Sequence, residues 1–179
     1  MFLPFVLRDT IIEQQTNVDI VAATLQKNAQ PADLIVISPW YLGISFNWYS
    51  VGDTPLITIP NINDHRFHRY DLIKAKMSQP DPLHDVRDRI AGTLRSGGRL
   101  WLVGGIQFPH DGEDPLLLRP APDPQFGWRE QAYVKAWSQQ LGVFLQSHVA
   151  QGAVILTPAK RGVNPLENVP LFVVYGWRE

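Results

Sequence analysis

The chain contains no cysteine. Disulfides, thiolate metal centres and cysteine nucleophiles are therefore excluded, and the sequence carries no mark of a redox compartment. It also lacks a surplus of either charge: 16 Lys and Arg stand against 17 Asp and Glu, a net charge of −1. A duplex nucleic-acid binder usually carries a basic excess, so the balance argues against a nucleic-acid partner. No apolar run reaches the ~18 residues of a membrane span. Met1–Val6 is apolar but far shorter, and it lacks the basic start and small-residue cleavage site of a signal peptide. Glycine-rich phosphate loops are missing as well. Gly43 stands alone after the first strand candidate, with no GxGxxG and no Walker sequence. Gly43-Ile44-Ser45-Phe46-Asn47 lacks the second glycine of a nucleophile elbow.

What is present points to a globular chain. Its 179 residues are 45% hydrophobic and 18% charged, enough for the core of one domain spanning 1–179 and unlike a disordered polymer. Thr16-Asn17-Val18-Asp19 reads as a helix start, and Val18, Val21, Ala22, Leu25 and Ala29 follow at helical spacing. Asp33–Ser38 is a short continuous apolar run, the pattern of a strand buried on both faces. A second helix is expected over Tyr41–Ser50 and a second strand over Pro55–Ile59. A short helix follows near Tyr70–Ser78. Asp81-Pro82 opens a helix with Leu83, Val86, Ile90 and Leu94 on one face, stopped by Gly97-Gly98. Leu100–Val103 is the third strand. Residues 106–127 form a long loop containing five prolines, at 109, 115, 120, 122 and 124, the kind of loop that is often functional. Trp128–His148 is the longest helix, with Tyr133, Val134, Trp137, Leu141, Phe144 and Leu145 in its stripe. Ala153–Leu156 and Leu171–Tyr175 are the last strands. The alternation predicts an α/β three-layer sandwich with a Rossmann-like, mostly parallel sheet of about five strands. No helix separates the last two strands, so one antiparallel edge strand is expected.

Ligands of open α/β sheets bind beyond the carboxyl ends of the strands. Three segments fall there. The first is rich in aromatics, and Trp40, Tyr41 and Asn47 could stack on and hydrogen-bond a sugar or a base. The second, Asp64–Asp71, gathers two His, two Arg and two Asp in eight residues. Arg66 and Arg69 could clamp an anion, with His65 or His68 as acid or base. Asp64, His65 and His68 could instead hold a divalent metal, completed by His110 or Asp111 of the third segment, although HxxH is a weak metal signature. The plainer reading is that these Asp, Arg and Tyr side chains pin the following helix to the sheet. Asp111, Glu113, Asp114 and Asp123 look like the acids of a solvated loop, since no calcium-ligand ladder accompanies them. Gly-Trp-Arg-Glu occurs twice, at 127–130 and 176–179, and is read as coincidence.

Several strings together resemble one family. DLIVISPWYLGISFNWY (Asp33–Tyr49), DHRFHRYDLIKAKM (Asp64–Met77) and RLWLVGG (Arg99–Gly105) are similar to the soluble C-terminal domain of bacterial membrane glycosyltransferases of the protein O-mannosyltransferase and aminoarabinose-transferase type. QTNVDIVAATL (Gln15–Leu25), GWRE (Gly127–Glu130) and LFVVYGW (Leu171–Trp177) fit the same pattern, so the resemblance spans about residues 15 to 177. It implies a polyprenyl-phosphate sugar system as partner and an extracytoplasmic site, whereas a free-standing chain without an export signal would be cytoplasmic. It also implies that residues 1–14 are the tail of a preceding membrane segment. The family's catalytic carboxylate lies in the membrane portion, so no catalytic residue carries over. The expectation is a noncatalytic accessory or binding domain, with a divalent metal as the one candidate cofactor. The alternative is a small α/β enzyme built on the Asp64–Asp71 loop.

Overall fold

A computed structural model describes residues 16–49, 51–110, 113–158, 163–164 and 167–179. In chain order the elements are α1 (Val18–Asn28), β1 (Leu34–Ser38), α2 (Leu42–Phe46), β2 (Leu56–Thr58) and α3 (Tyr70–Met77). They continue with α4 (His84–Arg95), β3 (Leu100–Gly104), α5 (Glu130–His148), β4 (Val149–Leu156) and β5 (Leu171–Trp177). The fold is α/β around an open, mixed five-stranded sheet of order β2-β1-β3-β5-β4.

Strands β2, β1 and β3 run parallel, with Val36 opposite Ile57 on one side and Leu102 on the other. Both crossovers contain helices, as parallel pairing requires. β5 returns antiparallel to β3, and β4 pairs antiparallel with β5. The expected reversed strand is therefore present, but it is not at the edge. β5 sits between β3 and β4, and the edge belongs to β4.

The apolar runs of β1 and β3 are buried on both faces, and alternate residues enter separate clusters. Leu34, Val36, Leu100 and Leu102 pack against α3, α4 and α5 through Ile73, Ile90, Trp137 and Leu141. Ile35, Ile37, Trp101 and Val103 pack against α1 and α2 through Val21, Leu25, Leu42 and Phe46. Period-two alternation thus divides a continuously apolar strand between two apolar clusters.

Several boundaries differ from those expected, each for a local reason. Asn17 does not cap α1 with its side chain. Its amide donates to the Val169 carbonyl (2.9 Å) and accepts from the Val169 N–H (2.8 Å), which ties the start of α1 to the segment entering β5. Thr16 Oγ1 accepts from the Val18 N–H instead, at 2.9 Å. Asp81 pairs with Arg87 rather than capping, and α4 begins at His84. The second helix shortens to Leu42–Phe46, and the longest begins at Glu130 rather than Trp128. β4 starts at Val149, directly after α5, four residues before the expected Ala153. Its Ala, Gln and Gly make weak strand formers, and pairing with β5 decides the conformation.

The proline-rich segment carries no helix or regular strand among its described residues, but it is fastened down. Gln139 and Gln140 of α5 take the N–H and C=O of Leu116, and Tyr133 Oη donates to the Arg119 carbonyl. Asp123 is buried and accepts from the N–H groups of Arg119, Gln125 and Phe126, so it organises a turn rather than belonging to a solvated acidic loop. These donors, led by the Phe126 N–H, hold its carboxyl below its ordinary value.

The opposite, amino-terminal end of the sheet is closed by a buried acid. Asp33 accepts from the Arg99 N–H (2.9 Å), Arg99 Nη2 (2.8 Å), Trp101 Nε1 (3.0 Å) and the Gln30 N–H (3.0 Å).

Candidate functional site

The carboxyl ends of β1, β2 and β3 share one rim of the sheet. Gly104 makes their close approach possible. Its φ is +83°, and a Cβ there would lie 1.9 Å from the Ser38 carbonyl oxygen. Ser38 Oγ then donates to the Gly105 carbonyl at 2.9 Å and joins the two strand ends.

Trp40 follows β1 and is 1% exposed. Its Nε1 donates to Glu130 Oε1 at 2.9 Å, which fastens the rim to the first residue of α5. Three rings stand edge-on to Trp40: Tyr41 at 6.2 Å, His68 at 5.9 Å and Tyr70 at 5.7 Å between centroids. His68 and Tyr70 also stack at 5.9 Å with planes 16° apart. Tyr41 is 36% and Tyr70 55% exposed, so the buried indole presents outward a set of partly exposed rings. Burial, with the Glu130 charge nearby, pushes the Tyr41 phenol up. The hydroxyl therefore stays protonated at neutral pH and can donate. Flat apolar faces with phenol and imidazole groups at their edges suit a sugar ring, which offers C–H faces and hydroxyls together.

The Asp64–Asp71 loop is an internally paired ion cluster. Asp64 receives Arg66 Nε (3.0 Å), Arg66 Nη2 (3.0 Å) and Arg69 Nη1 (2.6 Å). Arg69 also grips Asp71 through Nε (2.9 Å) and Nη2 (2.6 Å). Hydrogen bonds from Arg66 hold the Asp64 carboxyl well below the usual carboxylate range, and those from Arg69 bring Asp71 to about 2. Both carboxylates are thus ionised above acidic pH, and both guanidinium groups are matched within the loop. These bonds tie the loop to Asp71 in the first turn of α3, and none of them reaches the sheet, to which the plainer sequence reading expected the helix to be pinned.

His65 lies elsewhere from His68. Its ring sits over Gly43 of α2, where a Cβ would come within 2.6 Å of Nδ1. That nitrogen is buried and has no hydrogen-bond partner among the described residues. Burial lowers the imidazole pKa, against the Asp64 charge and the Ile62 carbonyl, which favour the charged form. His65 and Asn47 line a 290 Å3 hollow together with Tyr49, Val51 and Leu56. The aromatic set and this hollow are therefore distinct places. Trp40, Tyr41 and His68 belong to the first, Asn47 and His65 to the second. His110 is exposed beyond β3, and its carbonyl accepts from the Glu113 N–H. Asp111 lies outside the described residues. Among the described residues no three His, Asp or Glu side chains are grouped as a metal ion would need.

Sequence reasoning did not find Glu130 or Tyr70 as part of the site. For Glu130 the repeated Gly-Trp-Arg-Glu held the signal, and Tyr70 lies within the Asp64–Asp71 segment that composition marked. Glu130 of the first copy accepts from Trp40, and Glu179 of the second accepts from Trp177 Nε1 at 3.1 Å. Only contacts across 90 residues of sequence distinguish the two copies.

No family model, curated protein or solved structure matches the chain. No helix among the described residues is long and apolar enough to cross a membrane.

Proposed function

We propose that the chain is a noncatalytic binding domain of a glycosyl-transfer system that uses polyprenyl-phosphate sugars. On this reading its fold is a three-layer, Rossmann-like sandwich with the recognition surface on the carboxyl rim of the parallel strands. One observation carries the proposal: the Tyr41, His68 and Tyr70 rings stand together around the buried Trp40, whose indole is bonded to Glu130. The surface has the composition of a saccharide platform, and the neighbouring arginines are already matched by Asp64 and Asp71. The resemblance of Asp33–Tyr49 and Asp64–Met77 to the soluble domain of membrane glycosyltransferases supports the same assignment.

The test is a thermal-shift panel of free sugars, sugar nucleotides and short polyprenyl phosphates, run beside a turnover assay. A ligand at one hundred times its dissociation constant stabilises by about 2.7 kcal/mol. For a chain of this size that is a rise of roughly 5–10 °C. The proposal expects a rise with a sugar or polyprenyl phosphate, lost in Tyr70→Ala, and no turnover. Sugar transfer or hydrolysis by the isolated chain would sink it.

A second reading rests on His65. An unprotonated imidazole beside a hollow containing Asn47 fits a small α/β enzyme with His65 as base. It requires an activity that falls in His65→Ala while the fold persists. An activity unchanged in both His65→Ala and His68→Ala would remove it.

A further inference from the structure

Glu130 has more bonding capacity than the fold uses. It is the first residue of α5 and is partly exposed. Its Oε1 accepts from Trp40 Nε1 at 2.9 Å. Its Oε2 accepts from no described residue, and no Lys, Arg or His among the described residues forms an ion pair with it. The charge reaches the aromatic set all the same, since with burial it holds the Tyr41 phenol protonated. The arginines of the same rim are committed elsewhere. Arg66 gives Nε and Nη2 to Asp64, and Arg69 gives Nη1 to Asp64 and Nε and Nη2 to Asp71. Two guanidinium groups against two carboxylates leave that loop without a surplus. Glu130 is thus a carboxylate beside the Trp40 and Tyr41 rings with no described arginine or lysine matched to it.

We infer that Glu130 anchors the saccharide at this surface and makes the surface select neutral over acidic sugars. The inference rests on the saccharide reading above and adds a residue and a ligand class to it. A sugar hydroxyl donates to Oε2 in a charge-assisted bond, which is about twice as strong as a bond to a neutral acceptor. A ligand carboxylate has no proton to give and meets a like charge. It also finds both guanidinium groups already held by Asp64 and Asp71, so it must displace a carboxylate to gain a cation. A neutral ring carries neither cost. A purely structural Glu130 would hold Trp40 and leave ligand choice untouched. Glutamine separates the two roles. Its amide oxygen still accepts from Trp40 Nε1, while an NH2 group replaces Oε2 and donates to a ligand carboxylate instead of repelling it.

The test is an NMR titration at neutral pH with neutral methyl hexosides and the matching methyl hexuronosides, which carry a carboxylate in place of the CH2OH group. The Trp40 indole N–H and the Tyr41 ring report binding, and thermal melts confirm that each protein is folded. Wild type should bind the neutral member of a pair roughly tenfold tighter or more, and the preference should narrow as salt is raised. Glu130→Gln should bind the neutral glycoside about five- to tenfold more weakly and bring the pair to within about twofold of each other. A wild type that binds both members equally overturns the inference and leaves the saccharide reading standing. So does a preference that salt leaves unchanged, or one that a folded Glu130→Gln retains. If no glycoside of either kind binds the wild type, the saccharide reading falls and the inference falls with it.

Discussion

Asp33→Asn probes the bond network that closes the amino-terminal end of the sheet. The carboxylate is 3% exposed and accepts from Arg99, Trp101 and Gln30. The amide keeps one acceptor but turns an NH2 group toward donors and removes the charge opposite Arg99. Breaking a buried pair from one side costs about 3–5 kcal/mol. The Arg99 side chain is 33% exposed, so it can regain some water. The loss should therefore fall at or below the lower end, about 2–3 kcal/mol. That lowers Tm by roughly 5–10 °C. The pH response follows from the same contacts. Burial opposes ionisation of Asp33, but bonds from Arg99, Trp101 and Gln30 outweigh it and hold the carboxyl below its ordinary value. Below about pH 3.9 the unfolded chain takes up a proton that the folded chain still declines. The stabilisation is complete above that pH and is lost as pH falls through the lower folded value. Urea unfolding followed by circular dichroism, at neutral and acidic pH, reads both effects. The gap between wild type and Asp33→Asn should be wide at neutral pH and narrow on acidification. Equal stability at neutral pH, or a gap that widens with acid, would refute the reasoning.

Three further outcomes follow from single contacts. Glu130→Ala strands the buried Trp40 Nε1–H and should cost about 1–3 kcal/mol; Glu130→Gln retains an acceptor and should recover most of it in the same melt. Asn17→Ala removes both bonds to Val169 and should destabilise by about 1–3 kcal/mol, while hydrogen exchange quickens at the Val169 amide. Because burial lowers the folded His65 pKa, the unfolded chain binds the extra proton first as pH falls through about 6.5. Stability should therefore decline on that limb, and His65→Gln should flatten it in melts between pH 7 and roughly pH 5.

Legibility in the sequence tracked burial. β1 and β3 could be read because both faces are covered, which leaves an uninterrupted apolar run. β4 could not be read in full, because its exposed Ala-Gln-Gly start has no pattern and takes its form from β5. The missing crossover helix foretold a reversed strand. Its interior place did not follow, since strand order depends on contacts between distant segments. In the site, composition flagged the Asp64–Asp71 loop, and the structure shows its charges matched to one another. His65 and His68 are three residues apart, yet one turns to Gly43 and the other to Trp40. No periodicity decides such a divergence in an irregular loop. The Trp40–Glu130 bond was invisible for the same reason that strand order was.

The most direct test of the recognition surface is a two-dimensional NMR titration of the folded chain with free sugars and a short polyprenyl-phosphate sugar. It would observe the Trp indole N–H and the tyrosine and histidine ring signals. The account predicts saturable shifts at Trp40, Tyr41, His68 and Tyr70, lost in Tyr70→Ala, with the ligand recovered unchanged. Shifts confined to the His65 hollow with the ligand converted, or no saturable shift with any sugar, would contradict it.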